Sequence, residues 1–165
     1  MSRSNPMRVL VLVLGNPILC DDSVAFHVLE HMRPSLPEES DDLVFEEACT
    51  GGMDLLVYVM DFDRVLIIDA IMTGRDPPGT VRTYRVEDLK ESIHVDSPHH
   101  TNFSTALELG HKVHPERMPE EIQIVGVEVD NIQDFTEELT PAVEAAVPDA
   151  ARAALEILEG WGLKG

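Results

Sequence analysis

The stretch that decides the fold lies near the start of the chain, where residues 8–29 read RVLVLVLGNPILCDDSVAFHVL. After Arg8, the run of valine and leucine to Leu14 is typical of a strand buried on both faces of a parallel sheet. The run stops abruptly at Gly15-Asn16-Pro17. Beyond the acidic pair Asp21-Asp22, apolar residues recur at helical spacing until Pro34. The stretch therefore predicts a buried strand, an acidic turn and a helix, which is the opening unit of an α/β domain.

The rest of the chain repeats this alternation of strands and helices. Apolar or alternating runs predict four more strands, at Leu43–Glu47, Val65–Ile68, Gly79–Val86 (a half-exposed edge strand) and Ile122–Val127. Helical spacing predicts helices at Met53–Met60, at Asn102–His111 and from Thr140-Pro141 onwards. Pro148 lies inside the last helix and is expected to kink or split it. We therefore predict a single α/β domain over residues 1–165 with a mostly parallel sheet.

Composition and charge exclude several classes of partner. The chain has 165 residues, of which 44% are hydrophobic and 26% charged, as is usual for a globular domain. Lys and Arg number 12 against 31 Asp and Glu, so the formal net charge is −19. Such a surface repels nucleic acid backbones and anionic lipid headgroups, and we expect neither nucleic acid nor membrane as a partner.

The cysteines and the N-terminus predict where the protein is located. Cys20 and Cys49 are too few for a disulfide framework, which favours a reducing compartment. The first apolar run is short and lacks a cleavage site of small residues, which argues against a signal peptide. No run approaches the roughly 20 apolar residues of a membrane helix. We therefore predict a cytoplasmic protein.

Three groups of polar residues fall at or near the carboxyl ends of the predicted strands, where open α/β sheets bind their ligands. Asp21 and Asp22 follow the first strand, and Asp69 ends a buried strand. The third group lies in a loop that includes His99 and His100. Two carboxylates and an imidazole from three loops can supply a mixed oxygen and nitrogen ligand set for a divalent metal such as Zn, Ni or Fe.

Each of these groups also has a purely structural interpretation. One of Asp21 and Asp22 can act as the N-cap of the following helix and accept hydrogen bonds from its backbone amides. An aspartate that ends a strand is a common turn former, and histidines in a loop are often surface residues. The residues alone are therefore suggestive of a metal site and not specific for one.

Several common catalytic and cofactor motifs are missing from the sequence. Gly15 stands alone before Asn16-Pro17, so the dinucleotide-binding pattern G-x-G-x-x-G does not follow the first strand. The phosphate-binding loop G-x-x-x-x-G-K-[ST], the hydrolase pattern G-x-S-x-G and the zinc-binding pattern H-E-x-x-H do not occur either. We expect no nucleotide or organic cofactor, and nothing marks either cysteine as an activated nucleophile.

Seven motifs in order resemble one enzyme family. Residues 12–29 read LVLGNPILCDDSVAFHVL and resemble the opening of the hydrogenase maturation endopeptidases, with their pattern G-N-x-L-x-x-D-[DE]-x-x-G. The later landmarks are TGGMDLL (50–56), LIIDA (66–70), PGT (78–80), SPH (97–99), IVGV (124–127) and LTPAV (139–143). Together they cover the chain from about Arg8 to Trp161. The chain departs from the pattern at Ala25 and Phe26, where family members commonly have glycine.

The resemblance implies a fold and a set of site residues. The fold is a three-layer α/β/α sandwich with a mostly parallel, twisted sheet of about five strands. The family's metal-contacting positions fall on Asp22, Asp69 and His99, and His100 beside the last leaves that assignment open by one residue. Asp22 and Asp69 are also the candidate catalytic residues, and Asp21 is a candidate for a supporting role. The glycine loop, here Thr50, Gly51 and Gly52, would contact the substrate backbone.

The activity implied by the resemblance is a specific proteolysis. These enzymes remove a C-terminal extension from the precursor of the large subunit of [NiFe] hydrogenase after nickel has been inserted. The expected partner is that precursor, and the expected metal is nickel that the substrate itself presents. Two alternatives stay open from the sequence: a non-catalytic nickel-binding chaperone of the large subunit, and a metal-dependent peptidase or amidohydrolase that carries its own metal.

Overall fold

The structure is a computed structural model that describes residues 6–49, 52–86, 103–130, 132 and 134–163. Within these ranges the chain forms five strands: β1 (Val9–Leu14), β2 (Leu43–Ala48), β3 (Arg64–Ile71), β4 (Val81–Arg85) and β5 (Glu121–Glu128). The α-helices in the same ranges are α1 (Val24–Met32), α2 (Leu55–Val59), α3 (Phe103–Val113) and α4 (Pro141–Gly160). Strands and helices alternate, as the sequence predicts, except that β4 follows β3 with no helix between them.

The described strands form one sheet in the order β2-β1-β3-β5-β4. All neighbours are parallel except β4, which pairs antiparallel with β5 at one edge. The chain leaves β1 toward β2 on one side and returns to β3 on the other side of β1. The carboxyl ends of β1 and β3 therefore flank the point where the winding reverses, which is where doubly wound sheets form their binding crevice.

Alternate residues of the central strands bury opposite faces of the sheet. In β1, Val9, Val11 and Val13 pack in one cluster with residues of α1 and α4. Leu10, Leu12 and Leu14 pack on the other face with residues of α2 and α3. All six β1 side chains are fully buried, and each such Val or Leu contributes about 1.5–3 kcal/mol of burial free energy. The three-layer α/β/α sandwich with a mostly parallel five-stranded sheet is thus confirmed.

The last helix runs without interruption through Pro148. The prediction that this proline splits the helix is therefore wrong. Thr140 stands at the N-cap and Pro141 at the first helical position, as the sequence predicts. The buried side of the helix is long, because Val143, Val147, Ala150, Ala154 and Leu158 all pack on the sheet. This burial outweighs the roughly 3 kcal/mol that an internal proline costs a helix.

One further prediction, the end of β3, needs correction, and another concerns residues outside the described ranges. Asp69 is expected to end its strand, but β3 continues to Ile71, because Ala70 and Ile71 pair with Val127 and Glu128 of β5. The predicted loop from Ser92 to Thr101 lies outside the described residues. Within the described residues, no helix is both long and apolar enough to cross a bilayer.

Candidate active site

The crevice between the carboxyl ends of β1 and β3 brings two predicted site residues to one region. Val13 pairs with Ile68, so Asp69 is the first β3 residue beyond the last β1–β3 pair. A short 3-10 turn at Cys20–Ser23, which contains Asp22, packs against β3. Strand alternation places Asp69 on the face of Val65 and Ile67, and its side chain is fully buried. The structure thus brings the turn that carries Asp22 against the strand that carries Asp69.

The loop from Gly15 to Asp22 has a fixed shape because its two ends touch. Gly15 has φ +143°, and a Cβ built there would lie 2.0 Å from the backbone oxygen of Asp22. The Asn16 amide donates to Oδ2 of Asp22 at 3.0 Å, and the Asp22 amide donates to the Leu19 oxygen at 2.9 Å. Asp22 is partly exposed. Gly15 and the backbone amide of Asn16 together hold the Asp22 carboxylate at the crevice.

Asp21 is fully buried, and its carboxylate is hydrogen-bonded to the start of the last helix. Its Oδ1 accepts from the Thr140 amide at 2.7 Å, and its Oδ2 accepts from the Thr140 hydroxyl, also at 2.7 Å. Thr140 is the N-cap of α4, where a carboxylate is also favoured by the helix dipole. Asp21 therefore ties the site loop to the last helix, which fits a positioning role and leaves Asp22 as the member of the pair that lies at the crevice.

Cys20 does not have the features of a nucleophile. The thiol is buried, and its Sγ lies 3.8 Å from Oδ1 of Asp21. Burial raises the pKa of Cys20 above its ordinary value, and the neighbouring negative charge of Asp21 raises it further. The protonated thiol is the weak form for both nucleophilic attack and metal binding.

The sequence predictions miss one buried carboxylate at the same edge of the sheet. Glu128 ends β5, is almost fully buried, and pairs in register with Ile71. Its carboxylate accepts from the amides of Thr73 and Gly74 at 2.9 and 3.0 Å, and from the Thr73 hydroxyl. Glu128 therefore fixes the chain segment that leaves β3. The available signal was a charged residue at the end of a buried run, the same signal that marks Asp69.

The remaining predicted site residues are described only in part. Gly52 begins the 3-10 turn Gly52–Asp54, which leads into α2. Ala48, the last residue of β2, accepts from the Gly15 amide at 3.2 Å, so the chain enters the glycine loop beside the Asp22 loop. Thr50, Gly51, His99 and His100 lie outside the described residues.

The described residues by themselves do not complete a metal site. In residues 6–49, 52–86, 103–130, 132 and 134–163, no three His, Cys, Asp or Glu side chains are arranged to hold a metal ion. Asp22 and Asp69 offer carboxylate oxygens on the turn and strand that pack together at the crevice. A third ligand from another segment is needed for the mixed oxygen and nitrogen set that the sequence predicts.

Comparison with known proteins places this fold and its motifs in one family. A family model described as hydrogenase maturation protease matches residues 26–157, which is most of the chain. Among solved structures, the hydrogenase maturating endopeptidase HybD from Escherichia coli is similar, with a TM-score of 0.80 and 28% identity over 95% of both chains. The [NiFe] hydrogenase maturation protease HybD from Thermococcus kodakarensis is similar at a TM-score of 0.68 and 25% identity, covering 92% of this chain and 99% of that one.

Sequence relatives carry related names. The chain is 29% identical over 161 residues to the hydrogenase 2 maturation protease of Escherichia coli strain K12, covering 96% of this chain and 94% of that protein. It is 27% identical over 162 residues to the hydrogenase expression/formation protein HupD of Rhizobium leguminosarum bv. viciae, covering 94% and 76%. The chain belongs to the hydrogenase maturation protease family, whose members are peptidases.

Proposed function

We propose that this protein is a cytoplasmic endopeptidase that removes the C-terminal extension of a nickel-loaded [NiFe] hydrogenase large-subunit precursor. The observation that carries the proposal is the crevice itself. In a chain of this family, the loop holding Asp22 packs against the strand holding Asp69, at the point where a doubly wound sheet binds its ligand. The partner is accordingly another protein, and its nickel is part of the substrate.

Asp22, Asp69 and His99 are the residues we assign to nickel recognition. Carboxylate oxygens and an imidazole nitrogen are suitable ligands for Ni²⁺. Asp69 is fully buried, and attraction between a carboxylate and a cation is stronger where water is excluded. A precursor without nickel cannot bridge to these three ligands, so cleavage is confined to precursors that have received the metal.

Hydrolysis requires that water add to the scissile carbonyl while the tail leaves as an amine. Nickel held at the crevice can polarise that carbonyl or lower the pKa of the attacking water. Asp22 or Asp69 can instead take the proton from water as general base and return it to the departing amine. Backbone groups of Thr50, Gly51 and Gly52 are assigned to hold the extended tail beside the crevice.

The test is the intact mass of the large-subunit precursor after incubation with this protein, with and without nickel loaded. We expect loss of a C-terminal peptide from the nickel-loaded form alone. Asp69→Asn should abolish cleavage, because it removes a charged ligand at the centre of the crevice. Asp149→Asn is the matched control, since Asp149 is exposed on α4 and forms a surface ion pair with Arg152.

Two results would contradict the proposal. Cleavage by Asp69→Asn at the wild-type rate would remove that residue from the mechanism. A stable complex between wild-type protein and nickel-loaded precursor, with the precursor tail intact, would replace the protease with a chaperone of the large subunit.

A further inference from the structure

Two large apolar side chains stand exposed beside the crevice. Phe135 is 83% exposed and Ile18 is 49% exposed. Ile18 lies in the loop that carries Asp22, and the backbone oxygen of the next residue, Leu19, accepts from the Asp22 amide. Exposed apolar side chains that cluster at a site mark an interaction surface more often than isolated ones do.

The two side chains come from backbone segments that lie side by side. Leu19 and Thr136 form a parallel β-bridge, and the Cys20 amide donates to the Thr136 oxygen at 2.8 Å. Ile18 and Phe135 are the residues immediately before this bridge on each strand, so they start from neighbouring backbone positions. We call this pair the rim patch.

The chain segment that carries Phe135 is acidic. The exposed acidic residues of the segment that carries Phe135 are Asp130, Asp134, Glu137 and Glu138. Residues 130–138 contain no Lys or Arg. The bridge between Leu19 and Thr136 holds this acidic segment against the site loop. An apolar centre with an acidic border is complementary to an apolar side chain with basic neighbours.

We propose that the rim patch is the docking surface for a segment of the precursor in which an apolar side chain is flanked by Lys or Arg. This inference rests on the proposed function, because the rim patch adjoins the crevice assigned to nickel and the tail. Docking there would hold the precursor while its tail enters the crevice. Phe135 thus contributes to substrate affinity and takes no part in the hydrolytic step.

The experiment compares Phe135→Ala with wild type on the nickel-loaded precursor and on the nickel-free precursor. We expect KM for tail removal to rise about tenfold with kcat within about twofold, and Kd for the nickel-free precursor to rise by a similar factor. Val113→Ala is the control, because Val113 is also exposed (58%) but lies near the other end of the sheet. That end of the sheet, where the strands begin, is marked by the ion pair between Arg117 and Asp61, which precedes β3.

The charged border is tested by salt and by a second variant. Raising the salt concentration should weaken binding of wild type to the nickel-free precursor, and the double variant Glu137→Gln/Glu138→Gln should flatten this dependence. An unchanged salt slope in the double variant would exclude charge complementarity at this border. Phe135→Ala and the double variant change only exposed side chains, so both proteins should remain folded, which thermal melting checks.

The outcomes separate this inference from the proposed function. If wild type cleaves and Phe135→Ala has the KM and Kd of Val113→Ala, the rim patch is not a docking surface and the protease assignment stands. If wild type binds without cleaving and Phe135→Ala weakens binding, the docking surface stands and the protease assignment falls. If wild type binds no precursor, both fall. A wild-type dimer that Phe135→Ala dissociates would assign the patch to a second copy of this chain and overturn the inference.

Discussion

Single atoms determine the shape of the loop that presents Asp22. The hydrogen at the Gly15 α-carbon lies where any side chain would meet the Asp22 carbonyl. The Asn16 amide then holds one oxygen of the Asp22 carboxylate. Asp21, the neighbour, accepts hydrogen bonds from the amide and the hydroxyl of Thr140. Two adjacent aspartates of the same chemical type thus have different roles, because their surroundings differ.

Gly15→Ala should therefore damage both stability and activity. A Cβ 2.0 Å from the Asp22 oxygen forces the loop to move, and the positive φ adds strain. We expect a loss of at least about 2 kcal/mol in the free energy of unfolding, measured by urea denaturation. Cleavage of the nickel-loaded precursor should also fall sharply.

Gly74→Ala is the matched control for this change. Gly74 also has a positive φ (+69°), but a Cβ there meets nothing within 4 Å. Gly74→Ala should lower the free energy of unfolding only through backbone strain, by about 1–2 kcal/mol. Cleavage should be unchanged. Equal effects of the two substitutions would show that the contact with Asp22 is unimportant.

Residue types along the chain predict where Asp22 and Asp69 lie but not what surrounds them. A polar residue after a buried run is visible in the sequence, so both candidates could be found. Glu128 carries the same local signal as Asp69, but its role depends on Thr73 and Gly74, which are about 55 positions away along the chain. Local patterns do not reveal the role of Asp21 for the same reason, since Thr140 is 119 positions away. Contacts between distant segments are set by topology, which local patterns do not contain.

At the scale of elements, local pattern and tertiary pairing compete. The run in β1 is apolar at every position, and the strand occurs as predicted. For β3, the polar residue inside the strand predicts a strand end that is too early. Asp69 pairs with Gly126 and the strand continues because β5 extends beside it. Strand ends are therefore less predictable than strand centres, since the neighbouring strand helps to determine them.

The last helix allows a direct test of this competition. Pro148 is exposed, so replacing it removes little packing, and alanine restores an amide that can donate to the carbonyl one turn earlier. We expect Pro148→Ala to raise the free energy of unfolding by about 1–3 kcal/mol, measured by urea denaturation. Pro115→Ala is the control: Pro115 begins a short 3-10 turn, where its missing amide costs nothing. No gain at Pro148 would mean that the proline does not weaken the helix in this fold.

For the whole molecule, the net charge of −19 acts on stability as well as on binding. Like charges spread over one domain repel each other in the folded state. Raising NaCl from 10 to 300 mM shortens the screening length from about 30 Å to less than about 10 Å. We expect the melting temperature to rise, by about 3 °C for each kcal/mol of repulsion that is screened.

Calorimetry in NaCl and in KCl at equal ionic strength tests this expectation. Screening depends on ionic strength, so the two salts should give the same curve. A melting temperature that stays constant or falls would show that attraction between the charges balances their repulsion.

The hydrogen bonds between Asp21 and Thr140 also bear on how the protein is made. Synthesis produces β1 and the Asp22 loop first, but the residue that anchors this loop is 119 positions later. Until the ribosome has released the start of α4, the loop lacks that anchor. The Asp22 loop therefore gains its last hydrogen bonds only late in synthesis, although β1 and the loop itself are among the first parts of the chain to be made.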